Sequence, residues 1–203
     1  MQPSLFGCMN DVWKGQIFLS GMYVARDVNT LREKGITHVL CVAREAYTRH
    51  PAEMAGDLEL ARFDGMLLDD FGSSSLAKLL PPHIGFIDKA LSSPGGRCLV
   101  HCKMGVNRSA AVVIAYLMAR AGMTYKEAHL HTLRHRPIIC LHDSYKAQLE
   151  ALPSDFGDLV PLVPHEALDK ASLEAAPTGP VVRPSSRVHR PSTCCGASAC
   201  VTQ

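Results

Sequence analysis

The 203-residue chain has almost no excess of either charge: 21 Lys and Arg stand against 19 Asp and Glu, for a net charge of +2. So small an imbalance gives no ground for nucleic acid or an anionic membrane surface as a partner, and ligand questions pass to local charge. No run approaches the roughly eighteen apolar residues of a membrane span. The opening Met1-Gln2-Pro3-Ser4-Leu5-Phe6-Gly7 lacks a basic flank followed by an apolar core, so no secretory signal is visible. Gln2, where a glycine would be needed, excludes myristoylation. No internal repeat is evident. The eight cysteines match no zinc spacing, since their only cluster (Cys194, Cys195, Cys200) has no histidine pair beside it. With no export signal, they read as reduced thiols of the cytoplasm or nucleus.

What is present is concentrated in residues 101–109, His-Cys-Lys-Met-Gly-Val-Asn-Arg-Ser. The apolar run Arg97-Cys98-Leu99-Val100 before it suits a buried strand, and residues 110–118 after it suit a buried helix. A cysteine, five residues and an arginine therefore sit at a strand-to-helix turn. Such a turn gathers backbone N–H groups and the positive end of a helix dipole around one small volume, a ready anion site. Arg108 adds a planar fork able to hold two phosphate oxygens, and the loop N–H groups from Lys103 through Met104, Gly105, Val106 and Asn107 to Arg108 complete the cradle. Cys102 lies where everything around it favours negative charge, so it reads as a nucleophile aimed at phosphorus. Gly105 permits a backbone conformation closed to other residues at the tight turn.

The nonapeptide resembles the HCxxGxxR(S/T) signature of the cysteine-based protein phosphatases, and the continuation Arg-Ser-Ala-Ala…Ala-Tyr-Leu-Met is similar to their dual-specificity branch, here of the small atypical kind. The resemblance runs over about residues 10–152 and includes the Gly-Ile-Thr-His-Val-Leu run at 35–40. It implies hydrolysis of phosphotyrosine, phosphoserine and phosphothreonine through a phosphocysteine, with phosphoproteins as partners and neither metal nor organic cofactor. It also implies that His101 supports the loop through hydrogen bonds, and that Ser109 helps the sulfur leave. The family's proton donor falls, by register, on Asp70, 32 residues before Cys102, with Asp69 as the alternative. Lys103 adds charge at the pocket rim. One phosphoinositide-directed branch has lysine there too, with a second lysine where this chain has Val106. Relatives carry Pro-Asn where this chain has Leu141-His142. Cys41, ending a strand beside the cysteine loop, is a candidate redox partner of Cys102. Two rival readings stay open: a phosphoprotein-binding module of low activity, and a phosphatase of lipid, RNA or glycan phosphates.

Strands alternating with helices predict an α/β fold, a central largely parallel mixed sheet flanked by helices. Strands are expected at 16–21, 36–42, 63–68 and 97–101, and helices at 24–34, 76–91, 107–121, 124–135 and 143–152. Residues 44–60 read as a surface excursion. Pro81-Pro82 is expected to interrupt the 76–91 helix and restart it. The catalytic domain is assigned to residues 10–152. Residues 153–203, rich in Pro and Ser, read as a disordered tail with little to bury.

Overall fold

The structure, a computed structural model, describes residues 7–46, 59–61, 67–153 and 156. Its sheet has five strands in the order β1-β2-β5-β3-β4, where β1 is Asn10–Trp13, β2 Ile17–Gly21, β3 His38–Cys41, β4 Glu59–Ala61 and β5 Cys98–Cys102. The pairs β2–β5, β5–β3 and β3–β4 are parallel, and only the edge strand β1 is antiparallel. Parallel neighbours need crossovers, which explains the intervening helices.

Along the inner strands, alternate residues feed opposite cores, as the period of two requires. Leu19, Leu40 and Val100 join a large core beneath α3 (Leu76–Ser92), α4 (Arg108–Ala121), α5 (Tyr125–His135) and α6 (Asp143–Glu150). Phe18, Val39 and Leu99 join a smaller one with Ala25 of α1 (Met22–Ala25) and Leu31 of α2 (Val28–Glu33). Helix α4 is buried from Arg108 to Leu117, apolar nearly all round, as a helix enclosed by sheet and neighbours must be.

Several expected elements take other bounds. The helix expected at 24–34 is two short ones, the second begun by Asp27, whose carboxylate accepts from the Asn29 N–H. The strand expected at 63–68 falls largely on residues outside the described ones. Leu67 and Leu68 are not in strand, and the strand is Glu59–Ala61, which begins inside the stretch expected as an excursion and ends one residue past it. Nor do the prolines interrupt α3, which runs unbroken through Pro81 and Pro82. The carbonyls four residues before them belong to Ala77 and Lys78, both exposed, so water can take the bonds that proline cannot donate. The expected tail lies outside the described residues except at its start, where Phe156 is buried in the large core. The packed unit therefore reaches past residue 152.

Candidate active site

The end of β5, the loop 103–107 and the start of α4 form the centre of the site. Trans peptides point C=O and N–H in opposite directions, so the loop's geometry follows from where its carbonyls go. Lys103 O accepts from Met22 N at 3.0 Å, and Val106 O from Cys140 N at 3.0 Å. Met104 O and Gly105 O accept from the guanidinium of Arg136, at 3.3 and 2.7 Å. Four successive carbonyls are thus drawn outward, and the N–H groups turn inward. Cys102 Sγ lies at the floor, accepting from Gly105 N and from the Ser109 hydroxyl, both at 3.2 Å. Gly105 has φ +69°, and a Cβ there would lie 2.4 Å from the backbone of Ser20, so no other residue fits.

Two buried guanidiniums bracket the sulfur. Arg108, at the first turn of α4, reaches Glu45 Oε1 with Nη1 at 2.5 Å. Its Nε lies 3.2 Å from Asp70 Oδ1, an ion-pair distance without hydrogen-bond alignment. Burial works against the Arg108 charge, but the Cys102 sulfur, Glu45 and Asp70 outweigh it and raise its pKa above the ordinary value. Arg136 is completely buried and also donates to Cys8 O at 3.0 Å and Asn10 Oδ1 at 2.5 Å. Burial lowers its pKa, opposed by the sulfurs of Cys102 and Cys8.

The two aspartates have different surroundings. Asp69 is spent on its own loop: its carboxylate accepts from the N–H groups of Phe71 (2.8 Å), Ser73 (3.1 Å) and Ser74 (2.5 Å), and from the Ser74 hydroxyl. Partial burial pushes its pKa up, yet these donors outweigh it and hold it well below the carboxylate range. Asp70 instead turns to the cradle, with its side chain 55% exposed beside Arg108. The loop carrying both is strapped to α6 by Tyr145 (hydroxyl to Asp69 O, 2.6 Å), Ser144 (hydroxyl to Gly72 O, 2.6 Å) and Gln148 (amide to Ser74 O, 3.0 Å). A cleft of 520 Å³ opens next to Arg108, walled by Arg44, Glu45, Leu68, Asp70 and Phe71.

Of the residues expected at the site, Cys102, Arg108, Ser109, Asp70 and the loop 103–107 come together. Lys103 and Met104 are exposed at the rim, while Val106 and Asn107 are half-buried. His101 is buried, its Nδ1 3.2 Å from Cys102 O. Cys41 pairs with His101, one residue short of Cys102, and directs its sulfur to Ala43 O at 3.3 Å. His142 takes the N-cap of α6, its Nδ1 accepting from Ser144 N at 3.2 Å. Glu45, Arg136 and the α6 straps were not singled out from the sequence. Arg136 stands in the stretch already compared with the family, six residues before His142, and that was the available signal. The described residues contain no group of His, Cys, Asp or Glu able to hold a metal ion.

A cysteine floor, an inward N–H cradle, an arginine fork and a neighbouring aspartate stand together at one point of the fold, and the family model described as "Dual specificity phosphatase, catalytic domain" matches residues 17–154. The chain belongs to that family. Among the relatives of this dual-specificity phosphatase is human dual specificity protein phosphatase 13B, 35% identical over 157 residues, covering 77% of this chain and 78% of the other. Bovine dual specificity protein phosphatase 26 is 38% identical over 130 residues, covering 64% and 60% respectively. Among solved structures, human DUSP28 superposes with a TM-score of 0.61 at 26% identity, covering 74% of this chain and 93% of that one. A mouse putative dual specificity phosphatase complexed with zinc tungstate gives 0.63 at 26% identity, covering 78% and 91%. This dual-specificity phosphatase is accordingly a hydrolase of the protein phosphatase class. Among the described residues, no helix is long and apolar enough to cross a membrane.

Proposed function

We propose that this protein dephosphorylates phosphotyrosine, phosphoserine and phosphothreonine in proteins through a phosphocysteine on Cys102. The observation that carries the reading is the outward turn of the four carbonyls 103–106, which leaves the loop N–H groups around the Cys102 sulfur. In the first step the thiolate attacks phosphorus, an S–P bond forms and the ester P–O bond breaks. Asp70, protonated, delivers its proton to the departing oxygen. Charge on the three equatorial oxygens is met by the loop N–H groups and by the Arg108 fork. In the second step Asp70, now a carboxylate, takes a proton from water as that water attacks phosphorus. The S–P bond breaks, and the Ser109 hydroxyl, 3.2 Å from the sulfur, stabilises the returning thiolate. His101 sits behind the sulfur as a support, not a base.

Asp69 makes a poor proton donor, since it is held ionised by four donors, which supports Asp70 in that role. We assign the protein to the cytoplasm, with the nucleus as the alternative, because a cysteine nucleophile at Cys102 stays reduced only in a reducing compartment. A Cys41–Cys102 disulfide under peroxide would require both sulfurs to leave their present partners; peptide mapping with and without Cys41→Ser tests it. The main test is Cys102→Ser, which should abolish turnover of p-nitrophenyl phosphate while tungstate still binds. In Asp70→Asn, brief exposure to substrate should leave a phosphoryl group on Cys102, seen by mass spectrometry. Cys102→Ser turnover within tenfold of wild type would sink the nucleophile assignment.

A further inference from the structure

Asn107 joins three segments: the cradle loop, the acid loop and the start of α6. It is the last residue of the cradle loop, immediately before Arg108, and its side chain points away from the cradle toward the acid loop. Its Nδ2 lies 3.2 Å from Asp70 O and 3.4 Å from Asp70 Oδ1. Its Oδ1 accepts from the backbone N–H of His142 at 2.9 Å. That third bond fixes the amide's orientation, because only the oxygen can accept from a peptide N–H, leaving the nitrogen to face Asp70. The same bond gives a place to His142, which departs from the family pattern. Its backbone holds Asn107, and its ring caps α6, the helix that straps the acid loop from the other side.

We propose that Asn107 is a positioning residue for the proton donor, holding the Asp70 carboxyl in place over the cradle during the chemical step. This inference rests on the reading of Asp70 as the general acid. Without ligand, Asp70 also has the Arg108 charge 3.2 Å away. That contact weakens when it is most needed, because a bound phosphate takes the guanidinium and a proton-donating Asp70 is neutral. A neutral amide N–H has no such limit, since it can donate to a carboxylate or to the carbonyl oxygen of a carboxylic acid. The bond to Asp70 O further ties the backbone at that residue, so the acid loop and the cradle move as one piece. Proton transfer demands this, since a misplacement of about 1 Å is worth on the order of a hundredfold in rate.

The experiment compares p-nitrophenyl phosphate, whose leaving group departs with little help, with a phosphoserine peptide, whose alkoxide needs the proton. Asn107→Ala should lower kcat on phosphoserine about ten- to thirtyfold more than on the aryl ester, a share of the roughly 10²–10⁴ that general acid catalysis supplies. Inhibition by tungstate should stay within about threefold of wild type, as expected of a cradle still formed by backbone groups. Asn107→Ser, small and polar but too short to reach Asp70, should give the same split. In an Asp70→Asn background, Asn107→Ala should add less than about twofold, because the two residues act through one proton. Equal losses on both substrates, or losses that multiply in the double variant, would overturn the inference while leaving Asp70 as the acid. Asp70→Asn without leaving-group dependence would overturn the assignment of Asp70 itself, and this inference with it.

Discussion

Replacing Arg136 by methionine keeps most of the side chain's length and volume while removing four hydrogen bonds from a fully buried position. Two of the acceptors are cradle carbonyls, Met104 O and Gly105 O, which would be left without their partner. A buried carbonyl without a partner is worth about 1–3 kcal/mol of destabilisation, and returning the guanidinium to water in the unfolded chain no longer offsets anything. Breaking a buried charged network of this kind has an expected effect of about 3–5 kcal/mol. For a domain of this size that is a fall in melting temperature of roughly 10–15 °C. The kinetic effect is separate. Once released, the 104–105 or 105–106 peptide can rotate and bring an oxygen toward the phosphate in place of an N–H. Loss of one such donor is worth roughly 10²–10³ in kcat. Thermal unfolding should be followed beside turnover of p-nitrophenyl phosphate and tungstate titration, at a temperature where both proteins are folded. A variant that melts lower yet turns over within threefold of wild type would refute the claim that Arg136 sets the direction of the cradle peptides. Arg136→Lys, which can reach only one carbonyl, should recover part of the stability and little of the turnover.

Asp69→Asn should lower turnover to a similar degree on aryl and alkyl substrates, since Asp69 shapes the loop and the proposed mechanism gives the proton to Asp70. With fewer acceptor positions for its four donors, it should lose about 1–2 kcal/mol by urea titration. His83, fully buried on α3, has its pKa pushed down by burial to about 4 from 6.5, with the bond to Leu79 O opposing. The unfolded chain therefore binds the proton more readily below pH 6.5, so stability is full above that pH and falls between 6.5 and about 4, by about 3 kcal/mol in all. In His83→Gln that slope should disappear, as chemical unfolding across the pH range would show. Truncation after residue 153 removes the buried Phe156 and should lower the melting temperature measurably, whereas truncation after residue 160 should leave it nearly unchanged.

Whatever depends on neighbours along the chain was legible in the residues. The strand, loop and helix around Cys102 lie within about 25 consecutive positions, so apolar patterning, the glycine and the Cys–Arg spacing were enough to place the loop and Cys102 at its floor. Helix α5 is equally local, with Thr124 and Glu127 closing a reciprocal cap at its start. Patterning misjudged the prolines of α3, because it could not show that Ala77 and Lys78, whose carbonyls they leave open, are exposed residues. The antiparallel edge strand β1 also went unseen, as did β4, each only three or four residues long and defined by its partner more than by its own pattern.

The sequence by itself determined that a cysteine and an arginine meet at a strand-to-helix turn, because covalent connectivity alone keeps those residues together. Only the tertiary structure decided which aspartate faces that site, since Asp69 and Asp70 are adjacent and chemically alike until the donors of their loop are known. Only it brought in Arg136 and Glu45, 31 positions from Gly105 and 63 from Arg108, and only it gave Asn107 partners at Asp70 and His142. These are contacts between segments that the sheet order and the packing of α6 bring together. A single sequence holds no local trace of such pairings, because their energy comes from burial and from carbonyls that acquire a direction only once the chain has folded around them.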